Sequence, residues 1–106
     1  MTVSRRSIGD RALYPVGLGC MNITHAYGPP LEEGEAKALL KRAVDIGYDF
    51  LDTATIYGVG RSEELIGEAL KDRRQDYFLA SKCVLDVKDG QRVLDARPEA
   101  IKGACE

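Results

Sequence analysis

Hydrophobic positions fall into two alternating patterns along the chain. Short apolar runs end in a charged residue at Tyr48-Asp49-Phe50-Leu51-Asp52 and again at Tyr77-Phe78-Leu79-Ala80-Ser81-Lys82-Cys83. The second is almost continuously apolar, as expected of a strand that a parallel sheet buries on both faces. Ahead of the first run, Glu32 to Ile46 place Ala36, Leu39, Leu40, Ala43 and Val44 on one face at the helical period, with charges opposite. Gly47 follows where a left-handed helix cap is wanted. Between the two runs, Leu65, Ile66, Ala69 and Leu70 mark a second helix. Ser62 is placed to cap its first amides, and Glu63 and Glu64 suit the positive end of its dipole.

The flanking segments extend this alternation. Gly9-Asp10 is a turn signal between short extended pieces in residues 3 to 14, which predicts a leading hairpin. Pro15 through Met21 read as the first strand of the main sheet, and Ile23 to Pro30 as a loop holding His25 and Tyr27. Lys71-Asp72-Arg73-Arg74 would set cations at the negative end of the second helix. Asp86 to Asp95 are polar with a glycine and read as loop. Pro98 suits the first turn of a third helix beginning with Glu99, Ala100 and Ile101. With no internal repeat and no linker, the order of elements predicts one α/β unit built on parallel strands.

Composition narrows the class. The 106 residues are 44% apolar and 30% charged, the balance of an ordinary globular domain. A net charge of -2 with both signs interspersed provides no basic field for nucleic acid. No apolar run approaches the roughly 20 residues that span a bilayer, so no membrane is expected and the cytoplasm is the expected location. Cys20, Cys83 and Cys105 are an odd number without disulfide or metal spacing, which fits a reducing compartment and three buried or half-buried thiols.

The chemistry concentrates in Phe50-Leu51-Asp52-Thr53-Ala54-Thr55-Ile56-Tyr57-Gly58-Val59-Gly60-Arg61-Ser62-Glu63. Asp52 falls at the carboxyl end of a buried strand, and Tyr57 rises from the loop beyond it. Lys82 closes the next strand. Neighbouring parallel strands bring this acid, phenol and ammonium to one edge of the sheet. Taken alone, the acid or the lysine reads more commonly as half of a surface ion pair, and Tyr57 as a ring stacked on its loop. Gly17 and Gly19 form only a Gly-x-Gly pair, with Asn22 where a dinucleotide fingerprint needs its third glycine, so neither that turn nor a phosphate loop is supported. His25 is a loop histidine, read as surface or pocket wall and not as a base; Tyr27 is read in the same way.

The loop resembles the signature of the aldo-keto reductase family, with its Asp-Thr-Ala, its Tyr-Gly-x-Gly-x-Ser-Glu and the Ile66-Gly67-Glu68-Ala69-Leu70 that follows. Gly17-Leu18-Gly19-Cys20-Met21 and Ala80-Ser81-Lys82 match in order and spacing, and the type is similar to aryl-alcohol dehydrogenases or pyridoxal reductases. The resemblance implies a (β/α)8 TIM barrel, which takes about 250 residues. Residues 1–106 would then form a partial barrel domain, its amino-terminal portion, with about three β/α units and a plugging hairpin.

It further implies an oxidoreductase in which NADPH supplies hydride to an aldehyde or ketone. Tyr57 would donate the proton, Lys82 would ease its loss, and Asp52 would hold the ammonium. Gly19, Cys20, Met21 and Asp52 would lie against the cofactor, although close strand packing explains the glycines equally well. The family's histidine after the fourth strand is absent here, as are the loops that hold most of the cofactor. The alternatives are a nucleotide-sensing module of the channel auxiliary-subunit kind, and a fragment inactive by itself. The isolated chain is expected to self-associate and to bind NADPH weakly.

Overall fold

A computed structural model describes residues 3–24 and 28–106, so His25 and Tyr27 lie outside the described residues. The leading hairpin forms as expected. Strands β1 (Arg6–Ile8) and β2 (Arg11–Leu13) pair antiparallel across Gly9, whose φ of 58° is the left-handed conformation glycine tolerates best. Asp49 ties this hairpin to the main sheet, accepting from the Tyr14 N–H at 2.9 Å and from the Arg5 guanidinium at 2.6 Å.

The main sheet has three parallel strands, β3 (Leu18–Gly19), β4 (Phe50–Asp52) and β5 (Phe78–Ala80), in that order. Register sets Gly19 beside Asp52 and Asp52 beside Ala80. The first strand is shorter than its sequence pattern. Pro15 has no N–H to donate, and the chain turns at Met21–Ile23 into a single 3₁₀ turn.

Helices α1 (Glu33–Asp45) and α2 (Arg61–Ala69) cover one face of the sheet. There Leu51 packs with Leu40, Val44, Leu65, Ile66 and Leu70 in one buried cluster, and Leu18 and Leu79 lean on it from the outer strands. Side chains alternate across a strand. The opposite face therefore carries Gly17, Gly19, Phe50, Asp52, Phe78 and Ala80. No described helix covers it, and Phe50 and Phe78 stack on one another there, centroids 5.6 Å apart.

Several local expectations are corrected. Ser62 does not cap α2: Gly60, at φ 89°, occupies the cap position, and the Ser62 hydroxyl turns into the core. Leu39 is 45% exposed, because the apolar stripe of α1 is narrower than its pattern and passes through Ala36, Leu40, Ala43 and Val44. Cys105 is exposed, unlike the buried Cys20 and half-buried Cys83. Lys71–Asp76, the charged cluster beyond α2, form a 3₁₀ stretch; Arg73 joins Asp45 of α1 to Asp76, and Arg74 lies over the Tyr77 ring at 4.9 Å.

The segment read as loop is a second hairpin, β6 (Leu85–Lys88) and β7 (Gln91–Leu94). Its turn is Asp89-Gly90, with φ of 51° and 75°, the left-handed pair that matches the twist of antiparallel strands. Helix α3 (Pro98–Cys105) begins with its proline in the first turn, as expected, but buries none of its residues. No described helix is long and apolar enough to cross a membrane.

Candidate active site

The parallel ladder continues past the last paired strand residues, and this continuation assembles the site. The Thr53 N–H donates to the Ala80 carbonyl at 2.8 Å and the Thr55 N–H to the Lys82 carbonyl at 2.9 Å. Lys82 is thereby stitched beside the segment that leaves Asp52. Its ammonium donates to Asp52 Oδ1 at 2.7 Å and to the Thr53 carbonyl at 2.8 Å, and it lies 5.3 Å from the centre of the Tyr57 ring. Asp52 and Tyr57, predicted from one segment, and Lys82, predicted from the next strand, are brought together.

About half of the Lys82 and Asp52 side-chain surface is exposed, so this pair adds little to stability. Burial disfavours the Lys82 ammonium. The Asp52 carboxylate and the Tyr57 phenol outweigh it, and the pKa of Lys82 rises above its ordinary value of 10.5. The lysine stays a cation across the neutral range. This supplies the electropositive neighbour that a proton-donating phenol requires.

The loop that carries Tyr57 is held at both ends. Its N–H donates to the Ala54 carbonyl at 3.1 Å and its carbonyl accepts from Ser62 at 3.2 Å. Gly58 (φ 62°), Val59 (φ 52°) and Gly60 (φ 89°) are successive left-handed residues that reverse the chain into α2. For Val59 this conformation is strained, since a branched side chain disfavours it.

Beneath the site runs a fully buried polar tie that sequence reasoning did not anticipate. Thr53 Oγ1 donates to Ser62 Oγ at 3.0 Å, and Ser62 Oγ donates to the Cys20 carbonyl at 3.0 Å. The Cys20 N–H donates to the Asp52 carbonyl at 2.9 Å. The ends of β3 and β4 are thus pinned to the first turn of α2. Both backbone polar groups of Cys20 are engaged and its thiol lies in the core, with burial, helped by the Asp52 charge, pushing it up to about 11. The thiol is therefore neutral and inert at ordinary pH. Gly19, by contrast, is open: a Cβ built there meets nothing within 4 Å.

An open cleft of about 390 Å³ lies alongside, within the size range of small-molecule sites. Met21, Ile56 and Tyr57 form one wall, and Leu85, Val87 and Arg92 of the second hairpin form the other. The hairpin residues were missed because the segment was read as polar loop. The Asp89-Gly90 dipeptide between Leu85-x-Val87 and Val93 was the signal that could have found them.

Comparison with known proteins agrees with this geometry. The aldo/keto reductase family model matches residues 15–106. The aldo-keto reductase yakc, an NADP(+) enzyme by name, from Schizosaccharomyces pombe is 36% identical over 110 aligned positions, covering 100% of this chain and 32% of that protein. The solved holo form of an aldo-keto reductase from Bacillus halodurans superimposes with a TM-score of 0.83 at 31% identity, covering 97% of this chain and 34% of the other. A glycerol dehydrogenase from Gluconobacter oxydans gives 0.74 at 30% identity, over 94% of this chain and 32% of its own. The chain spans about a third of the length of these relatives. With its model matched over residues 15–106, the chain belongs to the aldo/keto reductase family.

Proposed function

We propose that the chain is the amino-terminal part, three β/α units and a hairpin, of a TIM-barrel oxidoreductase that reduces aldehydes or ketones with NADPH. The observation that carries this reading is the Lys82 ammonium held 2.7 Å from Asp52 and 5.3 Å from the Tyr57 ring centre. Carbonyl reduction needs a proton delivered to oxygen as hydride reaches carbon, and a cation beside a phenol stabilises the phenolate left behind. Tyr57 is the proton donor. Lys82 steadies the developing charge, and Asp52 together with the Thr53 carbonyl fixes where the ammonium stands.

The residues present fit a nicotinamide cofactor at the end of β3. Gly19 leaves that surface without a side chain, and Met21 shares a cleft wall with Tyr57. When bound, the cofactor supplies the hydride. Cys20, between Gly19 and Met21, stands against the same surface and holds β3 beside Asp52 through its N–H, and its neutral thiol offers no competing nucleophile. The alternative of a nucleotide-sensing auxiliary subunit finds no support among the relatives, which carry the names of reductases, dehydrogenases and oxidoreductases.

The test is a full-length protein made by joining residues 1–106 to the remaining part of the Schizosaccharomyces pombe relative. NADPH consumption is followed with a panel of aromatic and short-chain aldehydes. Turnover that depends on Tyr57 supports the proposal; a cooperatively folded protein with no consumption above the control without enzyme overturns it.

A further inference from the structure

We propose that Arg92 is a specificity-determining residue that selects carbonyl substrates bearing an anionic group, such as a carboxylate, remote from the reacting carbon. This rests on the reductase reading of the site. Cross-strand register sets Arg92 opposite Val87, so both side chains emerge on the same face of the hairpin, the face that also carries Leu85. Leu85, Val87 and Arg92 of that face line the same cleft as Tyr57 and Ile56. A single guanidinium on an otherwise apolar wall is the arrangement that orients a small ligand by one polar contact.

Arg92 enters no ion pair or hydrogen bond among the described residues. Of the acids on its own hairpin, Asp86 and Asp95 are committed elsewhere, and Asp89 in the turn forms no pair with Arg92. Asp95 is held by Arg97 at 2.9 Å and approached by Lys88 at 3.8 Å, while Asp86 accepts from the Val87 N–H at 2.7 Å. The guanidinium therefore remains available to a carboxylate, which it can grip with two parallel hydrogen bonds. A carbonyl compound with its oxygen at Tyr57 and its body along Ile56, Leu85 and Val87 would present its far end to Arg92.

The test compares 4-carboxybenzaldehyde with its uncharged methyl ester, methyl 4-formylbenzoate, in the joined full-length protein and in its R92L and R92K variants. R92L should lower the acid-to-ester ratio of kcat/KM by about 10-fold or more, the scale of a hydrogen bond to a charged group, mainly through KM, and R92K should restore part of it. An unchanged ratio overturns the proposal. NADPH affinity is measured on the same variants, because a loss there with an equal loss on both aldehydes would assign Arg92 to a cofactor phosphate instead. If neither aldehyde is reduced, the reductase reading fails as well, and equal terephthalate binding by the parent and R92L proteins in calorimetry would then overturn the anion site independently. Should the joined protein not fold, residues 85–94 with and without R92L, placed in the intact relative, give the same ratio.

Discussion

At the scale of single residues, two short distances gather Asp52, Tyr57 and Lys82 into the proposed site. Tyr57→Phe keeps the ring and removes the proton. In the joined protein kcat should fall by about 100-fold or more, as for loss of a general acid, while NADPH affinity holds; steady-state kinetics beside a cofactor titration is the check. Lys82→Met should lower kcat similarly, because the cation that favours the phenolate is gone.

Cys20 leads to a second residue-level expectation. Its thiol rises from the ordinary 9.0 to about 11 in the folded chain. A raised folded value means that the associated stability is complete below pH 9, declines as pH rises, and is lost as pH passes 11. Iodoacetamide at pH 8 should modify the exposed Cys105 first and Cys20 only on unfolding, as read by peptide mass spectrometry. Early alkylation of Cys20 would contradict its burial.

At the scale of elements, two glycines two residues apart face different surroundings. A Cβ at Gly17 would stand 2.4 Å from Phe50 Cδ1, inside the stack that Phe50 makes with Phe78, whereas Gly19 is open. Gly17→Ala should therefore destabilise by about 1–3 kcal/mol, the range for overpacking. Gly19→Ala should leave the melting temperature within about 2 °C, less than 1 kcal/mol moves a domain of this size, while weakening NADPH binding. Ser62→Ala breaks the tie between α2 and the strand ends, leaving a buried carbonyl and a buried hydroxyl without their partner. About 1–3 kcal/mol should be lost in chemical denaturation, the cost of an unsatisfied buried group.

At the scale of the whole molecule, the described sheet is open. Strands β3 and β5 are edges, no described helix covers one sheet face, and α3 buries nothing. The radius of gyration is 14.9 Å, against about 13 Å for a compact domain of this length. Open edges and apolar faces seek partners. Expressed alone, residues 1–106 should elute from size exclusion as oligomers or aggregates by light scattering and bind NADPH weakly. A monodisperse monomer with micromolar affinity would show that the chain is self-sufficient.

Periodicity was enough for α1, α2, β4 and β5, because both the helical stripe and the continuous apolar run are local consequences of burial. The Asp52, Tyr57 and Lys82 set was also legible, since parallel strands must align their carboxyl ends. What local pattern could not decide was where short polar side chains turn. Ser62 has the composition of a cap, yet the left-handed Gly60 takes that place and leaves the hydroxyl to Thr53 and Cys20, residues distant in sequence from one another. Leu39 satisfies the helical period, but it stands outside the stripe of Ala36, Leu40, Ala43 and Val44 that α1 buries. The second hairpin was written in Asp89-Gly90, yet only the folded chain sets Leu85, Val87 and Arg92 opposite Tyr57. Sequence determined which elements form and which chemistry stands at the sheet edge, because those depend on neighbours along the chain; tertiary structure decided the cleft and the buried tie, because those depend on neighbours across it.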